Sequence, residues 1–243
     1  MESRPLTAAP VATSVVAGYP LWSDAAGAVE VRFVGRSAIP LAGGERSREA
    51  TLRAVEAAAP PVAALRQVHS ASLVEAETAG FHGRGDALWT ARDGLALSVI
   101  TADCVPVLLA AGTELLAVHA GWRGIVAGVV PAALARLSAA GTAAGVTAWI
   151  GPAIGPCCYE VGEEVAAQVS AAAGVDVATP GPRGKPHLDL KRAVEAQLRR
   201  GGVPDVRLLG PCTRCTGELL WSYRREGEKA GRNIAFIWRR ADL

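Results

Sequence analysis

Histidine and aromatic side chains are scarce in this chain: among 243 residues there are four His, and Phe, Trp and Tyr together make up 5%. Four imidazoles cannot furnish several copper centres, so any metal chemistry is confined to a small site. A stripe of basic residues interleaved with aromatics is also missing, which removes the usual sequence mark of nucleic-acid binding. Charge of one sign is lacking as well. Lys+Arg 25 stand against Asp+Glu 23, a formal net charge of +2, and no block of five or six like charges occurs. Without a global field, an anion site has to be local, and neither nucleic acid nor a membrane surface is expected as a partner. Long apolar runs are absent too. The longest, residues 124–137, is too short for a bilayer span and contains Pro131 and Arg136. The first 21 residues carry Glu2, Pro5 and Pro10 and no basic segment before an apolar one, so no signal peptide is expected and the protein is read as cytoplasmic. No P-loop, nucleophile-elbow, zincin or dinucleotide-fold motif is present.

What is there is 50% apolar and 20% charged, enough to bury one sizeable core. No internal repeat or boundary-length linker interrupts it, and residues 1–243 are read as one mixed α/β domain. Apolar periodicity predicts a helix over 47–59, with Ser47 as N-cap and Pro60-Pro61 as stop, and strands over 65–69 and 73–76. Runs at 95–100, 105–109 and 115–119 read as neighbouring strands in the middle of a sheet. Gly121-Trp122-Arg123-Gly124 opens a helix running to residue 137 near Gly141, and its start is a candidate anion nest. Further strands are expected at 148–150, 206–209 and 234–238. Helices are expected at 160–173, closed by Gly174, and at 189–200, capped by Asp189. Residues 180–186 read as a loop.

Two of the four histidines, His69 and His119, fall at predicted strand ends, with Cys104 at a strand boundary between them. Two imidazoles and a thiolate suit zinc or copper, and three protein ligands with a fourth position open are the pattern of a catalytic zinc. The plainer alternative is a buried thiol acting as a small hydrophobe and a hydrogen-bonded core histidine. Five cysteines are an odd number, spaced unlike a secreted disulfide framework. Pro211 precedes Cys212-Thr213-Arg214-Cys215, half of the zinc nucleoside deaminase signature. The upstream half, His-x-Glu or Cys-x-Glu, is read as missing, so a cytidine deaminase is not expected, and this CxxC and the adjacent Cys157-Cys158 are both read as turns. Arg123, Arg224, Arg225 and Arg232 are candidates for oxyanion recognition.

Five segments in order carry a resemblance. They are Gln67-Val68-His69, Thr101-Ala102-Asp103-Cys104-Val105-Pro106-Val107, His119-Ala120-Gly121-Trp122-Arg123-Gly124, Ile150-Gly151-Pro152-Ala153-Ile154-Gly155-Pro156-Cys157-Cys158-Tyr159-Glu160-Val161 and Ser222-Tyr223-Arg224-Arg225. In these the chain resembles the YfiH-like family, long labelled polyphenol oxidase or laccase-domain proteins. The resemblance implies a three-layer α/β/β sandwich and a metal site on His69, Cys104 and His119, with zinc as the expected ion and copper as the alternative. It implies a purine nucleoside phosphorylase, transferring the ribosyl group of adenosine, inosine or S-methyl-5'-thioadenosine to phosphate, with adenosine deamination as a second activity. Arg123, Arg224, Arg225 and Arg36 are expected to bind substrate. Residues 1–60 depart from the family pattern, which survives only as Phe33-Val34-Gly35-Arg36-Ser37 and Gly43-Gly44. Three other readings compete. One is a hydrolase or deamidase with Cys104 as nucleophile, His119 as base and Asp103 or a backbone group as orienter. The others are a copper-dependent polyphenol oxidase, and a purine-binding protein without turnover.

Overall fold

A computed structural model describes residues 14–36, 45–139 and 145–241. Gly43-Gly44, Gly141 and the first 13 residues lie outside them. The chain begins with strands β1 (Ser14–Val16), β2 (Tyr19–Ala26) and β3 (Val29–Val34), followed by helix α1 (Glu45–Val55). Next come β4 (Val62–Arg66), β5 (Leu73–Glu75), β6 (Gly80–Arg84), β7 (Ala87–Thr90), β8 (Ala96–Thr101), β9 (Val105–Ala111) and β10 (Glu114–Ala120). Helices α2 (Trp122–Ala127) and α3 (Val129–Ala139) lead to β11 (Thr147–Ile150) and α4 (Glu163–Ala173). The remainder is β12 (Ala178–Pro180), β13 (Pro186–Leu188), α5 (Leu190–Arg200), β14 (Asp205–Leu208), α6 (Tyr223–Glu226) and β15 (Asn233–Arg239).

Two sheets stack face to face. One has seven strands in the order β1-β2-β3-β15-β8-β4-β6, the other six in the order β14-β11-β9-β10-β7-β5. Strands β9 and β10 are buried at every position, because each has a packed layer on both sides and so reads as an unbroken apolar run. Alternation divides their side chains between two cores. Val105, Val107, Leu109, Leu116 and Val118 meet α2, α3 and α5 through Ile125, Val130 and Val194. Leu108, Leu115 and Ala117 meet Phe33, Leu97, Val99 and Ile237 of the other sheet. Helices, six-stranded sheet and seven-stranded sheet are thus the three layers expected, with α1 placing Leu52 and Val55 on the outer face of the seven-stranded sheet beside Val62 and Phe236.

Several expectations are corrected in detail. The helix predicted over 47–59 starts at Glu45 and ends at Val55, so Ser47 lies inside it rather than capping it. The runs 95–100, 105–109 and 115–119 are strands but not mutual neighbours: β8 belongs to the seven-stranded sheet and β9 and β10 to the other. Between them the chain turns at Asp103, whose φ is 92°, and crosses from one sheet to the other. The segment after Gly121 is two helices, separated by Gly128 in the left-handed conformation. The helix expected from 160 starts at Glu163. Residues 180–186 form the tip of a hairpin, with β12 and β13 pairing antiparallel on either side. Gly174 and the Asp189 cap stand as expected; the Asp189 side chain accepts from the Arg192 amide.

Candidate metal centre and cleft

Two chain crossings build the centre. After β4, residues 67–72 carry the chain to β5 in the six-stranded sheet, and after β8, residues 102–104 carry it to β9. The first loop bears His69 and the second Cys104. Gln67 ties the two crossings together, its Nε2 donating to Ile100 O (2.7 Å) and its Oε1 accepting from Ile100 N (2.8 Å). His119, on β10, alternates in register with Leu115 and Ala117 and so faces the same way, toward the seven-stranded sheet. With Ala17, His69 (φ 61°) and Asp103 (φ 92°) are the non-glycine residues of positive φ among the described residues. Such backbone costs on the order of 1–3 kcal/mol each and persists only when its surroundings hold it.

The surroundings here are two buried carboxylates. Asp86, fully buried, accepts from the amides of Val68 (3.2 Å), His69 (2.9 Å) and Ser70 (2.6 Å) and from the Ser70 hydroxyl (2.8 Å). The same carboxylate meets His119 Nδ1 at 2.9 Å. Asp103 accepts from Thr213 Oγ1 and the Arg224 amide, each at 2.6 Å. Asp86, and not Asp103, therefore orients His119. The sequence offers no motif around Asp86; its one signal is a carboxylate set immediately before an apolar strand.

His69, Cys104 and His119 bring their donor atoms within 4.8 Å of one another. Cys104 Sγ lies 3.9 Å from His69 Nε2, and the two imidazoles meet edge to face with centroids 4.9 Å apart. Gly121 leaves the room: a Cβ there would stand 2.9 Å from His69 Cδ2 and 3.0 Å from Cys104 Sγ. The Gly121–Gly124 segment read as an anion nest is thus first of all a space-giving turn at the start of α2. With Nδ1 held by Asp86, His119 keeps Nε2 for the Cys104 side, the carboxylate–histidine arrangement common behind metal ligands. Two nitrogens, one thiolate and, among the described residues, no fourth donor fit a divalent metal such as zinc.

The electrostatics agree. Burial alone would raise the Cys104 thiol, but the His119 imidazolium and hydrogen bonds from both histidines outweigh it and bring the thiol down to about 6. Burial likewise opposes charge on His119, yet the Cys104 thiolate and the Asp86 carboxylate raise it to about 9. Asp86, also buried, is held well below the usual carboxylate range by hydrogen bonds from His119 and Ser70. Tyr159 is pushed up to about 12 by burial and the nearby Cys104 charge, so its hydroxyl stays a donor.

Above the three donors opens a cleft of about 580 Å³, within the usual range for small-molecule sites. Arg123 and Arg224 line it, as does Arg232. Arg224 stacks over the Tyr159 ring at 5.0 Å and Arg123 over Trp122 at 4.4 Å. Two more arginines, Arg48 and Arg66, line it without having been anticipated. They enter from α1 and the end of β4, elements that no motif marks. Arg36 and Arg225 are placed elsewhere. Arg36 pairs with Glu226 and lies over Trp221, while Arg225 donates to the carbonyls of Thr213, Arg214, Gly217 and Leu220. Their task in this structure is to hold the segment leading into α6. Among the described residues no helix is long and apolar enough to cross a membrane.

Comparison with known proteins follows the same outline. Residues 43–240 match the family model described as multi-copper polyphenol oxidoreductase laccase. The chain is 40% identical over 158 residues to a purine nucleoside phosphorylase of Streptomyces coelicolor, the match covering 64% of each protein, just under two thirds of that relative's length. It is 35% identical over 177 residues to the purine nucleoside phosphorylase YfiH of Escherichia coli, covering 72% of each. Among solved structures, a Neisseria meningitidis protein superposes with a TM-score of 0.76 at 28% identity, over 92% of this chain and 100% of that one.

Proposed function

As the chain belongs to the multi-copper polyphenol oxidoreductase laccase family, in its YfiH-like branch, we propose that it is a zinc-dependent purine nucleoside phosphorylase. Its substrates on this reading are adenosine, inosine and S-methyl-5'-thioadenosine, with adenosine deamination as a second activity of the same cleft. The observation that carries the reading is a three-donor centre, His69, Cys104 and His119, at the floor of an arginine-lined cleft. Phosphorolysis joins a phosphate oxygen to the anomeric carbon as the bond to the purine nitrogen breaks, and the base leaves with its electron pair. Phosphate and a departing base both need cationic or donor groups fixed in advance. Arg123, Arg224 and Arg232 supply guanidinium forks for the phosphate and ribose oxygens. Tyr159 offers a hydroxyl proton toward the base or sugar, and Phe81 and Tyr223, half exposed at the rim, offer apolar surface to the purine. His69, Cys104 and His119 would hold the metal, which when bound supplies Lewis-acid polarisation at the open position. Asp86 keeps His119 oriented throughout.

The test is incubation with adenosine or inosine, with and without phosphate, followed by mass-spectrometric detection of free base and ribose 1-phosphate. Phosphate-dependent base release that is lost in Cys104→Ala supports the reading; unchanged nucleoside in a protein carrying its zinc overturns it. The Cys104–His119–Asp86 contacts favour a second reading, a thiol hydrolase with Cys104 as nucleophile, His119 as base and Asp86 as orienter. Rapid alkylation of Cys104 in the freshly purified protein would favour it, since a metal-held thiolate resists the reagent.

A further inference from the structure

Four cysteines remain outside this centre, and the fold brings them together. Cys157 and Cys158 lie in the turn after β11, Cys212 and Cys215 in the turn after β14. All four Sγ atoms fall within 4.8 Å of one another, with Cys215 Sγ 3.4 Å from both Cys157 Sγ and Cys158 Sγ. Sulfurs around a tetrahedral zinc, at bonds of about 2.3 Å, stand about 3.8 Å apart. Contacts of 3.4 Å, with every pair inside 4.8 Å, are compatible with that value.

The backbone beneath the cluster is built rather than incidental. Ala153 and Cys212 form a parallel bridge, and Thr213 N donates to Ala153 O at 3.1 Å. Thr216 closes the second turn by donating to Cys212 O through its amide (3.2 Å) and hydroxyl (2.7 Å). Gly155 N donates to Cys212 Sγ at 3.2 Å, the backbone-to-sulfur bond that supports a thiolate. A Cβ at Gly155 would stand 3.3 Å from Cys157 Sγ and 3.4 Å from Cys212 Cβ, so the two turns pack closely around this residue. Arg183 and Arg214 line a cleft with Cys157 and Cys158 and would offset the net negative charge of a tetrathiolate.

The sequence holds a matching pattern. Cys158-Tyr159-Glu160 and Pro211-Cys212-Thr213-Arg214-Cys215 follow the Cys-x-Glu and Pro-Cys-x-x-Cys halves of the zinc deaminase signature, so the upstream half expected to be missing is present. Two differences separate this cluster from a catalytic site. Cys157 supplies a fourth sulfur where a deaminase leaves room for water, and Glu160 is engaged by Arg183 at 2.9 Å.

The geometry points to a second metal site in which Cys157, Cys158, Cys212 and Cys215 hold one zinc ion as a closed, structural tetrathiolate. Binding takes up Zn2+, releases the thiol protons to solvent and changes no oxidation state. Its effect would be to pin the turn carrying Tyr159 to the turn carrying Thr213, the residue that holds Asp103 behind Cys104. The proposal stands apart from the nucleoside reading and is tested without it.

Metal is counted by inductively coupled plasma mass spectrometry on protein purified under reducing conditions without chelator. Two zinc ions per chain are expected in the wild type, one in His119→Ala and one in the Cys212→Ser/Cys215→Ser variant. Cobalt substitution of His119→Ala should give the intense visible bands of a tetrahedral tetrathiolate, a readout that does not depend on the double variant folding. Exposed Cys157 and Cys215 should also resist iodoacetamide in the native wild type until a chelator is added. One zinc in the wild type with no cobalt–sulfur spectrum in His119→Ala would overturn the site. So would a disulfide through Cys215 in the reduced, freshly purified protein.

Discussion

Asp86 Oδ1 and His119 Nδ1 meet at 2.9 Å, with the carboxylate side chain wholly buried and the imidazole 4% exposed. The same carboxylate gathers the amides of residues 68–70, so one side chain both aims the His119 imidazole and shapes the loop that carries His69. Asp86→Asn keeps the size but turns an amide N–H toward groups that themselves donate. The expected cost is about 3 kcal/mol of unfolding free energy by urea titration. A roughly 10–100-fold loss of zinc affinity should accompany it in chelator competition.

The same pair sets the behaviour in acid. Because the folded Asp86 titrates below its unfolded value of about 3.9, its contribution is complete above that pH and is lost as pH falls through the folded value. Wild-type stability should therefore drop more steeply than that of Asp86→Asn from roughly pH 4 downward, as urea midpoints across that range would show.

Cys104 gives a second pH readout in metal-stripped protein. The iodoacetamide rate should have its midpoint at about 6, well below the roughly 8.5 of a free thiol. Removing the imidazolium in His119→Ala leaves burial unopposed by that charge and moves the midpoint upward. A rate profile unchanged by His119→Ala would show that the two groups are not coupled.

Gly121→Ala tests the packing of the centre. Its methyl would press on His69 Cδ2 and Cys104 Sγ, and a displacement of donors by a few tenths of an ångström is enough to weaken a metal site. Zinc affinity and phosphorolysis should each fall at least about tenfold while circular dichroism stays that of the wild type.

The paired arginines separate binding from support. Arg224→Ala removes a guanidinium from the cleft and should raise KM for phosphate about tenfold, with stability nearly unchanged. Arg225→Ala strips hydrogen bonds from four backbone carbonyls and should cost about 2 kcal/mol of stability. Its KM should remain that of the wild type.

Much of the centre was legible because its residues are rare: His69, Cys104 and His119 stand out in a chain with few of either type, although His69 lies in the loop after β4, which stops at Arg66, and not at the strand end expected. Asp86 was not, since a single carboxylate before an apolar strand has no spacing to betray it and its partners come from two other segments. The four remaining cysteines read as two local turns although both halves of a zinc signature are present in them, because the residues between Cys158 and Cys212 hide a closeness made by the Ala153–Cys212 bridge. Apolar runs likewise located β8, β9 and β10 but not their sheets. Period and composition are the same for a strand buried in either layer, and it is the Asp103 backbone that decides. The strands β1 to β3 lay in a segment read only through family likeness.

His69 also implies a tension between durability and use. It holds left-handed backbone that glycine adopts more readily, and its tie to Asp86 runs through the backbone amide, so a population of variants selected for heat resistance alone should accumulate glycine at 69. Asp103 should not follow, because its carboxylate accepts from Thr213 Oγ1 and the Arg224 amide. Selection for metal binding would remove glycine from position 69.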